Sequence, residues 1–173
     1  MTKWDQYFYN LCTAVSTNVQ CPSRSMGAVI VRNKHIVATG YNGPPSGFPN
    51  IGTREFRRLT ALTHSWVGWA ANSDSECPRK VMKIPSGEGL GFCPCAHAER
   101  NAIDSAARLG HPTQDCTLYL NNVIPCLDCA YSIVNSGIKE VVVVKLEEYP
   151  QEGFTGKIIL DECGVNIREF ELT

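Results

Sequence analysis

The sequence predicts an α/β fold, a three-layer α/β/α sandwich around a five-stranded mixed sheet. Three observations predict it. A leading stretch with apolar residues at helical spacing is followed by two short apolar runs joined by a polar turn, the pattern of a helix and then a hairpin. The second half alternates strand-like and helix-like segments, the order that builds parallel pairs with right-handed crossovers. The run Val141–Val144 fits a strand buried on both faces, which requires a sheet covered by helices. With 173 residues, 43% of them hydrophobic and 19% charged, the chain is expected to form a single domain over 1–173 with an insert at about 48–94.

Taken in order, Trp4, Phe8, Leu11, Cys12 and Val15 share a face, so 3–17 is predicted helical. A polar loop over 18–25 leads to strands at 26–31 and 36–41, with 32–35 as the hairpin turn. The segment Tyr41-Asn42-Gly43-Pro44-Pro45-Ser46-Gly47 is a shaped loop, either a simple strand exit or a loop that holds ligand through the Asn42 amide. Residues 53–70 fit a helix capped by Thr53, and 71–94 is irregular. A helix is expected over 97–109, closed by Gly110, and then a strand over 116–120. Pro125 suits the first turn of the next helix, which Gly137 ends. A strand over 140–145, a helix over 156–163 and a strand over 165–170 complete the sheet.

The bulk numbers exclude several classes. A formal net charge of −1 disfavours a protein that holds nucleic acid by neutralising phosphates. No apolar run approaches membrane-spanning length, and the first ten residues do not read as a secretory signal. Nine cysteines without such a signal suit metal binding in a reducing compartment, and the chain is expected to be cytoplasmic.

The chemistry concentrates in His97-Ala98-Glu99 and Pro125-Cys126-Leu127-Asp128-Cys129. His97, Cys126 and Cys129 are three ligands of the kinds zinc prefers, and three protein ligands leave the fourth tetrahedral position open for water. Glu99, two residues past the histidine, can stand beside that water without binding the metal. H-x-E followed by P-C-x-x-C is the signature of zinc-dependent nucleobase deamination, with the glutamate as proton shuttle. Two thiolates make zinc a weaker electrophile than three imidazoles would, so Glu99 must carry much of the acceleration. Taken singly, Glu99 would read as a helix-dipole partner and Cys-x-x-Cys as structural or redox-active. Together and in this order, the two motifs specify a catalytic metal site. Both ligand helices should lie on one face of the sheet with their N-termini converging.

The sequence resembles the deoxycytidylate (dCMP) deaminase family, within the cytidine deaminase superfamily. The resemblance runs through Met26-Gly27-Ala28-Val29-Ile30-Val31, Thr39-Gly40-Tyr41-Asn42-Gly43, His97-Ala98-Glu99-Arg100-Asn101-Ala102-Ile103, Pro125–Cys129 and Ser136-Gly137-Ile138-Lys139. It implies a cytidine-deaminase-like fold, catalytic Zn2+, and hydrolysis of dCMP to dUMP and ammonia. It also implies a substrate site that includes Asn42 at the deoxyribose, Ala98, and Arg24 and Ser25 at the 5′-phosphate; by itself Arg24 could equally be a solvated loop charge. The family further implies a homohexamer activated by dCTP and inhibited by dTTP, with effectors near Tyr41 and Gly43. Alternative readings are a deaminase of another cytosine nucleotide (5-substituted dCMP included), a deaminase of another base such as adenine in transfer RNA, or a non-catalytic zinc-fold protein of a DNA-uptake operon.

Four further cysteines lie in or beside loops, and some members of the resembled family carry a second zinc. A structural second Zn2+ is therefore expected on Cys21, Cys77 and Cys93, with His64 or Cys95 as fourth ligand, stapling the insert to the first loop.

Overall fold

A computed structural model of the chain describes residues 3–19, 21, 23–48, 77, 79, 83–85, 88, 92–149 and 153–171. Its elements are α1 (Lys3–Ser16), β1 (Gly27–Arg32), β2 (His35–Tyr41), α2 (Ala98–Arg108), β3 (Thr117–Leu120), α3 (Leu127–Asn135), β4 (Glu140–Val143), α4 (Gly156–Glu162) and β5 (Asn166–Glu169). The five strands form one sheet in the order β2-β1-β3-β4-β5. β1 pairs antiparallel with both β2 and β3, whereas β3, β4 and β5 run parallel. This is the mixed α/β sheet expected. The helix expected over 53–70 lies outside the described residues.

Alternation along the strands divides the core into two layers. Val29, Val31, Tyr119 and Val142 point to one face and pack with Phe8 and Cys12 of α1 and with Phe170. Ala28, Ile30, Leu118, Leu120, Val141 and Val143 point to the other and pack beneath α2, α3 and α4. Val141, Val142 and Val143 are all buried, as a strand covered on both faces requires. The β1–β2 hairpin turns through Asn33 and Lys34, both at positive φ, the twist that matches two right-handed strands.

Two details depart from the expected pattern. The inward face of α1 is Asp5, Phe8, Cys12 and Ser16, while Trp4 is exposed. Asp5 turns inward because Arg168 of β5 meets it with two hydrogen bonds, of 2.7 and 3.0 Å. The second departure is that α3 begins at Leu127, not Pro125. Cys126 has extended backbone (φ −67°, ψ 168°) and forms the N-cap, which leaves Pro125 outside the helix.

The small residues of α2 set its distance from the sheet. Ala98, Ala102 and Ala106 are fully buried. Opposite them, a Cβ on Gly40 would stand 2.3 Å from the Ala98 carbonyl oxygen and 2.3 Å from the Ala102 nitrogen. Helix and strand thus meet backbone to backbone, which brings the end of β2 against the start of α2.

Candidate active site

His97 and Cys126 occupy the same position in their helices. Each is an N-cap with extended backbone, and neither side chain caps its own helix. Both side chains turn into the gap between α2 and α3. His97 Nδ1 lies 3.3 Å from Cys126 Sγ and 3.4 Å from Cys129 Sγ. Among the described residues, this is the one set of three such ligands whose donor atoms all lie within 4.8 Å of one another. Zn–N and Zn–S bonds of about 2.0 and 2.3 Å at tetrahedral angles place N and S about 3.5 Å apart, so the spacing fits zinc.

A buried carboxylate completes the fit. Glu99 is 1% exposed, and its Oε2 has no hydrogen-bond partner. An orphaned buried oxygen is costly unless something polar stands opposite it. Water at the open position of a metal held by His97, Cys126 and Cys129 would be such a partner. Burial raises the Glu99 carboxyl above its usual range, against the pull of His97. A carboxylate with raised proton affinity is suited to accept a proton from water.

The ligands are electrostatically prepared as well. A hydrogen bond from the Cys129 thiol, supported by His97, lowers Cys126 to about 4 despite its burial. The same contact and burial raise Cys129. His97 rises to about 9, chiefly through its hydrogen bond with Cys126. Cys126 is thus a ready thiolate at neutral pH. Two converging helix N-termini add favourable dipoles for negative charge.

The structure also places the other residues singled out in the sequence. Asn42 is 4% exposed, and its Oδ1 accepts a 2.7 Å hydrogen bond from the Ala98 amide. With its carbonyl engaged, Asn42 has its NH2 end to offer a ligand. Gly43 pairs with Ala96 in both directions, at 3.2 and 2.9 Å. Tyr41 is half-buried, and its carbonyl accepts from Asn101. The Arg24 guanidinium lies 4.5 Å from the centre of the Tyr149 ring, while Ser25 on the same loop is exposed. Asn122 donates to the Tyr149 hydroxyl at 3.0 Å. Asn101, Asn122 and Tyr149, which the structure sets against Tyr41 and Arg24, were not singled out as site candidates in the sequence. For Asn101 one signal existed: it lies four residues after His97 and so shares its helix face.

Of the cysteines expected at a second metal, the structure brings three together. The Cys95 thiol stands next to Cys21 and Cys93, and its single proton, given to one or the other, holds their thiols below the usual range. Cys77 is buried. The three thiols form a chain through Cys95 and not a set as tight as His97, Cys126 and Cys129. His64 lies outside the described residues.

Fold and site together place the chain in the class of zinc-binding deaminase domains. A family model described as the cytidine and deoxycytidylate deaminase zinc-binding region matches residues 2–145, and the chain belongs to that family. It is 34% identical over 170 residues to a deoxycytidylate deaminase of Saccharomyces cerevisiae, covering 98% of this chain and 46% of that protein. It therefore spans about half the length of that yeast relative. It is 31% identical over 157 residues to a deoxycytidylate deaminase of Mycobacterium phage D29, covering 86% of this chain and 95% of that protein. The crystal structure of a dCMP deaminase from cyanophage S-TIM5 in complex with dCMP and dUMP superimposes with a TM-score of 0.64 at 22% identity, over 98% of both chains. That likeness bears on the fold.

Proposed function

We propose that this chain hydrolyses dCMP to dUMP and ammonia. The observation that carries the reading is Glu99: buried, with an unpaired oxygen, beside three zinc-type ligands, in a chain of the deaminase family. The deoxycytidylate deaminases among its relatives support dCMP as substrate.

When bound by His97, Cys126 and Cys129, zinc supplies an activated water at neutral pH. Glu99 accepts a proton from that water and passes it to the ring nitrogen next to the amino-bearing carbon. The oxygen left behind bonds to that carbon, Glu99 carries its remaining proton to the amino group, and the carbon–nitrogen bond breaks to release ammonia, so that one water is consumed for each ammonia released. The amide of Asn42 faces the deoxyribose, and Ala98 fixes that amide by donating to its carbonyl end. Arg24, on the Tyr149 ring, meets the 5′-phosphate together with Ser25; a guanidinium suits this as a forked, permanent cation.

The finer expectations belong to the same reading. The protein works in the cytoplasm as a homohexamer of single-domain chains, activated by dCTP and inhibited by dTTP near Tyr41 and Gly43. A second, structural zinc is held by Cys21, Cys77 and Cys93, with Cys95 or His64 as fourth ligand; the linked thiols of Cys21, Cys93 and Cys95 support it.

The test is ammonia release from dCMP, CMP, deoxycytidine, dCTP and 5-methyl-dCMP by zinc-loaded protein. The reading expects dCMP to have the highest kcat/KM. Equal efficiency on deoxycytidine and dCMP, or activity confined to another member of the set, contradicts it.

A further inference from the structure

We propose that Asn101 is a positioning residue, whose carboxamide holds the Tyr41–Gly43 loop and the segment delivering His97 in one frame. The inference rests on the reading of Asn42 as a substrate contact and adds the residue that sets where Asn42 stands.

Asn101 Nδ2 lies 2.8 Å from the Tyr41 carbonyl oxygen and 3.4 Å from the carbonyl oxygens of both Gly43 and Ala96. Tyr41 and Gly43 flank Asn42 in the chain, and Ala96 immediately precedes His97. All three partners are acceptors, so only the NH2 end of Asn101 can meet them. One of its hydrogens takes the short bond, and the other is shared between the two longer ones. The backbone of Asn101 is anchored in turn, since its N–H donates to the His97 carbonyl at 3.0 Å. One side chain therefore spans the residues on either side of Asn42 and the approach to a metal ligand.

Other bonds hold the same loop, which limits what the loss of Asn101 can do. The Gly43–Ala96 pair and the Asn42 amide bond to the Met26 carbonyl, at 3.2 Å, do not involve the Asn101 side chain. Together with the 2.7 Å bond from the Ala98 N–H to Asn42 Oδ1 they keep the loop folded, while the carbonyls of Tyr41 and Gly43 lose the side-chain tether that sets where the backbone on either side of Asn42 stands. On helix propensity alone, alanine at position 101 favours α2. A role confined to helix stability therefore predicts a benefit from Asn101→Ala, whereas positioning predicts weaker substrate binding.

The experiment compares Asn101→Ala, Asn101→Asp, Asn42→Ala and the double variant Asn42→Ala/Asn101→Ala as zinc-loaded proteins, measuring kcat and KM for dCMP, zinc content and Tm. Asn101→Ala should raise KM about tenfold, the loss of roughly one hydrogen bond, with kcat within about threefold and zinc content unchanged. Asn101→Asp keeps the shape but sets a carboxylate against three carbonyl oxygens, and should raise KM further. The double variant should be no worse than Asn42→Ala alone, because both act through one contact. Should Asn101→Ala not fold, Asn101→Ser, which retains one donor, takes its place with an intermediate KM expected. A raised KM in Asn42→Ala beside wild-type KM in Asn101→Ala, or fully additive effects, overturns the inference alone. Wild-type KM in Asn42→Ala overturns the reading of Asn42 and the inference with it.

Discussion

Gly40→Ala should damage catalysis through one methyl group that touches neither metal nor substrate. The added Cβ would stand 2.3 Å from backbone atoms of both Ala98 and Ala102 and 2.8 Å from the Ala102 Cα. Backbone atoms cannot swing aside as a flexible side chain can. Ordinary contact begins near 3.4 Å, so β2 and α2 must separate by about 1 Å. Overpacking of this kind costs about 1–3 kcal/mol, or roughly 2–12 °C in Tm for a chain of this size. The separation falls between the strand that leads to Asn42 and the helix that starts at His97. A misplacement of about 1 Å at a site can cost up to roughly 10²-fold in rate, so kcat/KM should fall by about 10- to 100-fold. Gly27→Ala is the control: its Cβ would stand 2.1 Å from the Cys12 carbonyl oxygen, on the α1 face, which carries no site residue. It should lower Tm comparably with a much smaller loss of kcat/KM. Thermal melts and dCMP kinetics on both variants decide the matter. Gly40→Ala with wild-type Tm and kcat/KM would refute the reasoning, as would equal kinetic losses in the two variants.

Arg24→Ala should raise KM for dCMP by at least about tenfold while leaving residual turnover of deoxycytidine unchanged, since a charge-assisted bond to phosphate is lost; parallel losses on both substrates would remove Arg24 from the phosphate contact. Protein purified without chelator should contain close to two zinc per chain, and Cys77→Ser should remove one and lower Tm; metal analysis that finds one zinc, unchanged by the substitution, rules out the second site. Arg168→Ala should cost about 1–3 kcal/mol in denaturant unfolding at neutral pH, because it takes a bidentate counter-ion from the buried Asp5 carboxylate while Arg168 itself is partly solvated. An Arg168→Ala loss below about 0.5 kcal/mol would show that the pair is replaceable.

The candidate metal site was legible because the three residues that could hold the ion sit in two short motifs whose spacing matches that chemistry. His97 with Glu99, and Cys126 with Cys129, need only two helix starts to converge, and strand–helix order on a parallel sheet arranges that. The run Val141–Val144 was readable for the same reason, since burial on both faces leaves a local signature. Asn101, Tyr149 and Asn122 were not readable, because their partners lie far away in the chain: Tyr41 is 60 residues from Asn101. Asp5 was missed on an apolar reading of α1, since its inward turn depends on Arg168, which is 163 residues away. Periodicity finds apolar faces and is silent on a buried charge that a distant strand neutralises.

The central claim is that Glu99 moves protons at a metal held by His97, Cys126 and Cys129. The most direct measurement compares zinc-loaded wild type and Glu99→Gln for dUMP formation from dCMP, with zinc content and Tm measured on the same samples. Glutamine keeps the shape and removes the base. The expected result is unchanged catalytic zinc, a Tm no lower than wild type, and turnover reduced by at least about 10²–10⁴-fold. A Glu99→Gln protein that turns over dCMP at a rate near wild type, or one that loses its catalytic zinc with the substitution, would contradict it.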